Sequence, residues 1–135
     1  MSANSNNNNN NNKDILQFLN QKYVNLETYK RNGQAVLTPV WFVMDAGTIY
    51  IRTDMNSGKV KRIKNNPNIR VTPSGPRGQL RGKWMEGQMK MAGSLESEQA
   101  NQLLDKKYGI QGKIIRMFNK IRNTKPVVLL IQIQR

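Results

Sequence analysis

Thr53, Ser57 and Lys59 bring two hydroxyls and an ammonium into one short stretch of chain. Thr53 ends a run in which Ile49 and Ile51 alternate with Tyr50 and Arg52, the two-residue period of a strand. Asn56-Ser57 then offers an N-cap, and Val60 and Ile63 mark one face of a short helix whose other sides carry Lys59, Lys61, Arg62 and Lys64. A strand passing through a tight loop into a helix collects free backbone N–H groups at the helix start. Joined by a hydroxyl and an ammonium, they form an arrangement suited to holding a phosphate. A solvated basic helix with an ordinary cap has the same spacing, so spacing alone leaves both open.

The elements that must position these groups are mostly strands. Ala35–Met44 and Thr48–Thr53 read as a β-hairpin joined at Asp45-Ala46-Gly47, where the glycine is free to take positive φ. Lys22–Arg31 reads as a strand with Val24, Leu26 and Thr28 on one face and Asn25, Glu27 and Tyr29 on the other. Asn32-Gly33 turns it into the strand that starts at Ala35. Pro39 cannot donate to a ladder, which places its strand at an edge or a bulge. Phe42 is expected in the core.

Asn66-Pro67-Asn68 ends the basic helix, Ile69–Thr72 returns as a strand, and Pro73–Gly78 reads as a loop. From Lys83 to Met91, Met85, Gly87, Met89 and Met91 alternate with polar residues and Trp84. With no histidine or cysteine nearby, that methionine stripe reads as core. Ser94 caps a helix over Glu96–Tyr108 that Gly109 ends, and a basic amphipathic helix follows near Lys113–Arg122. Val127–Ile133 is apolar on both faces, as in a barrel wall or a subunit interface. The short helix expected at Asp14–Asn20 covers one barrel end. The fold class is therefore mainly β with short helices: about six antiparallel strands in a partly closed barrel.

The segments TPVWFV (38–43), DAGTIYIRT (45–53) and SGKVKRIKNNPNIRV (57–71), with Gly82-x-Trp84, resemble the pyridoxamine-phosphate-oxidase-like split-barrel proteins. Within them the chain is most similar to the branch described as coenzyme F420 (deazaflavin)-dependent enzymes. The similarity extends from about Val24 to Ala92 and is weaker beyond. It implies an FMN-binding-type split barrel that works as a homodimer with cofactor sites at the interface. Thr53, Ser57 and Lys59 would bind the cofactor phosphate, with Arg62 and Arg52 adding charge. The backbone of Pro39, Val40 and Trp41 would lie along the flavin-type ring, and Trp84 would approach from the partner subunit. For Trp84 the plain alternative is a half-buried sheet aromatic.

Composition sets the outer limits. The chain has 135 residues, no cysteine and no histidine, and eight carboxylates scattered without an acid–base pair. Disulfides, thiolate chemistry, Ser-His-Asp triads and the usual zinc sites are thereby excluded, and hard chemistry would have to come from an organic cofactor. Residues 1–12 form an asparagine-rich tail expected to be disordered, followed by one domain over 13–135. No apolar run approaches membrane-spanning length and no leader pattern is visible, so the cytoplasm is the expected location. The formal charge of +14 points to polyanionic partners. The leading expectation is an oxidoreductase that moves a hydride to or from a small molecule, with F420 favoured over FMN because F420 carries a glutamate tail beyond its phosphate. A non-catalytic flavin carrier and a basic nucleic-acid-binding protein are the alternatives.

Overall fold

The computed structural model describes residues 13–121 and 125–134; between residues 110 and 121 it describes side chains only at Gln111 and Ile114. The expectations for the asparagine tail and for the faces of the Lys113–Arg122 segment lie outside the described residues. The strands are β1 (Tyr23–Tyr29), β2 (Ala35–Trp41), β3 (Val43–Asp45), β4 (Thr48–Asp54), β5 (Asn68–Ser74), β6 (Met85–Met91) and β7 (Pro126–Ile133). They are accompanied by a 3-10 turn at Leu16–Phe18 and two helices, α1 (Gly58–Asn65) and α2 (Ser94–Ile121). Helix α2 is kinked at Gly109, whose positive φ of 56° interrupts the helical backbone where the sequence places a helix end.

All seven strands pair antiparallel in the order β2-β1-β5-β6-β7-β4-β3. The two outermost strands, β2 and β3, are separated in the chain by Phe42 alone. Neighbouring Cα atoms are about 3.8 Å apart, so the sheet has to curl until its edges meet. That makes a barrel whose edges approach without a ladder between them: a split barrel.

This corrects the expected hairpin. Ala35–Trp41 pairs along its whole length with β1, from Tyr29↔Ala35 to Tyr23↔Trp41. Only Val43–Asp45 pairs with β4. The alternation of sides survives the break: Val40, Phe42 and Met44 face the inner core, while Trp41 and Val43 join a second cluster with Leu104 and Tyr108 of α2. Periodicity therefore reads as one strand, although the partner changes. The turn at Ala46-Gly47 has both residues at positive φ (50° and 79°), as a tight hairpin of matching twist requires. Pro39 does lie on an edge strand, opposite Asn25.

Inside the barrel, Leu26, Ile49, Ile51, Val71, Met89 and Ile131 form the centre of the apolar core. Val60 and Ile63 of α1 close it from one side, and Ile15 and Phe18 are buried with it. Strand β7 is barrel wall, with Leu129 and Ile131 inward and Val128 and Leu130 buried on the other face. The methionine stripe is core at Met85 and Met89, while Met91 reaches solvent. Between them Gly87 lets two strands close up, since a Cβ there would lie 2.6 Å from the Gln132 carbonyl oxygen. The second face of β1 is buried too, at Asn25 and Glu27. The 75–82 loop covers Asn25, whose Nδ2 donates to the Gly78 carbonyl (3.3 Å).

At the break, Phe42 has no strand partner, and α2 supplies one. Its buried N–H donates to the Tyr108 hydroxyl (2.8 Å), which donates in turn to the Lys22 or the Phe42 carbonyl (both 2.8 Å). Trp41 stacks flat on Tyr108 with ring centroids 4.3 Å apart. Tyr108→Phe keeps the stack and orphans a buried N–H, so it is expected to cost about 1–3 kcal/mol. Urea unfolding checks this, and an unchanged midpoint would show that the hydroxyl is dispensable.

Candidate functional site

The strand, loop and capped helix follow one another as the spacing predicts. Ser57 caps α1 with extended backbone, and its Oγ accepts from the Val60 N–H (3.4 Å) and from the Thr53 hydroxyl (3.3 Å). Strand β4 is fixed at this point by its pairing with β7, Thr53 opposite Val127, and the Ser57 N–H donates to the Asp54 carbonyl (3.0 Å). The first N–H groups of α1 have no intrahelical acceptor, and the helix dipole makes that end positive.

Two cations converge on the same end. Arg62 is held by its Nε–H, which donates to the buried Thr28 hydroxyl (2.7 Å). Its guanidinium lies against Gly58, where a Cβ would come within 2.6 Å of Nη1. Lys59 is partly buried, and among the described residues its ammonium has neither a hydrogen-bond acceptor nor an ion-pair partner. Burial pushes its pKa below the ordinary lysine value, and the neighbouring Arg62 charge pushes it the same way. A desolvated, unpartnered ammonium beside a second cation at a helix N-terminus is unfavourable until an anion arrives.

Residues 12–134 match the family model described as pyridoxamine 5'-phosphate oxidase. The chain belongs to this family. A comparison with curated proteins returns no match. Among solved structures, a haem-storage protein from Vibrio cholerae superimposes with a TM-score of 0.64 at 14% identity, over 93% of this chain and 89% of that one. An FAD-binding protein from Mesorhizobium loti has a TM-score of 0.60 at 17% identity, over 94% and 88%. A protein described as an F420 reductase has a TM-score of 0.57 at 14% identity, over 89% and 93%. At such identities the likeness is one of fold.

The remaining family-type positions of this oxidase-family chain lie apart from the cradle. Pro39 and Trp41 are on the outer face of edge strand β2, and Val40 packs against the core. Pro39 sits opposite Asn25, three residues along β1 from Thr28 or about 10 Å, so no single group at Arg62 reaches both. Arg52 turns away to α2, donating to Asn101 (2.9 Å) and pairing with Asp105 (3.3 Å). Trp84 precedes β6 and lies under the Arg70 guanidinium, 4.8 Å from its ring centroid. Among the described residues no trio of metal-ligating side chains occurs.

Sequence reasoning missed Glu27 and Arg70. They form a two-pronged pair across β1 and β5 (2.8 and 2.9 Å), with the Tyr29 hydroxyl donating to the same carboxylate (2.6 Å). The Arg70 bonds hold the Glu27 carboxyl below its usual range despite burial, and burial leads in raising Tyr29. Only the register Glu27↔Arg70 shows this, and no local signal carries it.

The sign of the Lys59 effect follows from its lowered pKa. The fold disfavours the charged form, so Lys59 costs stability at every pH below its folded value. The cost fades as pH rises towards the ordinary lysine range. Lys59→Met is expected to stabilise the ligand-free protein at neutral pH by on the order of 0.5 kcal/mol, the size of a relieved like-charge pair. Added phosphate should cancel or reverse that gain. Urea unfolding with and without phosphate measures both, and a variant destabilised in the absence of phosphate would mean that Lys59 has a partner.

Proposed function

We propose that this chain is a flavin-type oxidoreductase with the cofactor phosphate seated at Thr53, Ser57, Lys59 and Arg62, coenzyme F420 favoured and FMN next. The observation that carries the reading is the partly buried Lys59 ammonium, without a partner among the described residues, beside Arg62 at the start of α1. Family membership and neighbours described as FAD-binding and as an F420 reductase support a flavin-type group. When bound, a flavin or deazaflavin supplies a ring that accepts or donates a hydride. The chain's own residues bind and orient it. Lys59 and Arg62 neutralise the phosphate, and Ser57, Thr53 and the first N–H groups of α1 direct it. At the free edge of β2, Pro39 and Trp41 turn their backbone groups away from β1 and offer them to a ring, with Val40, paired to Val24, between them. A haem would find no histidine or cysteine axial ligand in this sequence.

Assembly belongs to the same proposal. The outer face of β2 and β1 exposes Leu37 beside partly buried Pro39, and the ring side of the site lies at that edge. A homodimer burying this face would bring Trp84 of one subunit towards the site of the other. Light scattering should give twice the chain mass, and a monomer that binds cofactor at full affinity would refute the shared site. No described helix is long and apolar enough to cross a membrane.

The binding test is direct. Titration with FMN should show Lys59→Met weakening binding by about 1.5–3 kcal/mol, the worth of a charge-assisted contact. Lys106→Ala, an exposed position on α2, should leave binding within experimental error. Equal losses at both positions would indicate a diffuse field instead of a site. An absorption and mass spectrum of whatever copurifies from a host that makes both cofactors identifies the native one.

A further inference from the structure

Between β1 and β2, Lys30 and Gln34 close a short loop, Arg31-Asn32-Gly33, whose residues are all exposed. The Lys30 N–H donates to the Gln34 carbonyl (2.9 Å), and the Lys30 carbonyl accepts from the Gly33 N–H (2.9 Å). Gly33 takes the left-handed φ of 86° that such a loop requires, and nothing lies within 4 Å of where its Cβ would be. The Asn32 side chain folds forward, its Oδ1 accepting from the Gln34 N–H (2.9 Å).

Attack of the Gly33 nitrogen on Asn32 Cγ would need an open approach, a donor for the charge that develops on Oδ1, and support for the nitrogen anion. The missing Cβ supplies the first. The Gln34 N–H bonded to Oδ1 supplies the second, as an oxyanion donor does. The third comes from the fold. A groove of about 470 Å³ sets Lys30 and Arg31 opposite Lys61, Arg62 and Lys64 of α1, with no carboxylate in its lining. The nearby Glu27 is taken up by Arg70 and by the Tyr29 hydroxyl. Among the described residues none of the five cations has an ion-pair partner. A concave surface of one sign concentrates hydroxide and stabilises an anion beside it. The Gly33 N–H bond to Lys30 is the brake, and hydrogen bonds at an exposed turn open at low cost.

We propose that Asn32 is a site of spontaneous covalent modification, converting through a succinimide to aspartate and isoaspartate. Hydroxide removes the Gly33 amide proton and the nitrogen bonds to Asn32 Cγ. The Cγ–Nδ2 bond then breaks, and ammonia leaves with a proton taken from water. Water opens the ring: attack at Cγ gives aspartate, and attack at the Asn32 backbone carbonyl carbon gives isoaspartate. No oxidant, cofactor or partner is needed, so the conversion does not depend on the flavin-type reading. Either product puts a carboxylate at the mouth of a groove that has none, which relieves repulsion among its cations. Isoaspartate also adds a methylene to the main chain, and a short loop of fixed register cannot absorb it.

The test is incubation of the full chain at mildly alkaline pH and low ionic strength, followed by cation-exchange chromatography and peptide mapping by mass spectrometry. Conversion is expected at Asn32 first, with the mass shift of an amide-to-acid exchange and a rate that rises with hydroxide. Asn56, exposed and followed by Ser57, is the internal comparison. Lys61→Gln/Lys64→Gln removes two exposed charges and leaves the sequence around Asn32 untouched. In that variant the Asn32 rate should fall about two- to fourfold, the effect of two charges acting through water at roughly 10 Å. Added salt should slow the wild type towards the same rate. Asn32→Gln should abolish the new chromatographic peak. A chain that stays intact at Asn32 while Asn56 converts overturns the proposal and shows that the Lys30 hydrogen bond protects the turn. An Asn32 rate that neither the double variant nor salt changes also overturns it, since the Asn-Gly pair alone would then set the chemistry.

Discussion

One geometric constraint organises the barrel: the two edge strands of a seven-stranded sheet are joined through a single residue, Phe42. The sheet cannot lie open, and the residue at the joint cannot take part in either ladder. Its N–H and carbonyl then need partners from elsewhere, because an unpaired buried backbone group costs about as much as the hydrogen bond it lacks. Helix α2 provides both, with the Tyr108 hydroxyl on the N–H and the Lys107 ammonium on the carbonyl (2.8 Å each). The Phe42 side chain meanwhile turns inward and meets Phe18 edge to face at 6.2 Å. A helix far along the chain thus holds the closure that brings β2 beside β4, and β4 leads directly into α1.

The distribution of charge follows a second logic. With eight carboxylates against twenty-two lysines and arginines, where the carboxylates are used decides where positive charge is left over. Glu27 is used by Arg70 and Tyr29, Asp105 by Arg52, and Asp54 accepts from the backbone of Asn56 (3.2 Å). None of these serves Lys59 or the basic wall of α1. Uncompensated positive charge is therefore left along α1, and it coincides with the helix end whose dipole has the same sign.

Much of this was legible where the determinants are local. The Ser57 cap, the Val60 and Ile63 face, the glycine turns and the inward Phe42 all depend on residues within a turn or a strand of one another, and periodicity reports them. Strand partners are different. The sides alternate without interruption from Val40 through Phe42 to Met44, so nothing in the pattern announces that the first part of Ala35–Met44 pairs with β1 and its last part with β4. Arg52 stands one residue from Thr53, yet the pleat sends it to the opposite face, against Asn101 and Asp105. The basic groove was invisible for a related reason: Lys30 and Arg31 look like turn residues until the fold sets them beside α1.

Pro39 joins these two themes. An edge strand with a full set of donors and acceptors invites pairing with another chain, and a proline removes one donor from that row. On the sheet side, β1 satisfies β2 from Ala35 to Trp41, so the cost of the missing N–H falls on the open side. That side is left with acceptor-rich backbone and an apolar ring, poor for extending a sheet and suited to a flat, partly polar partner. The residue that keeps the barrel from growing another strand thus also holds its split open.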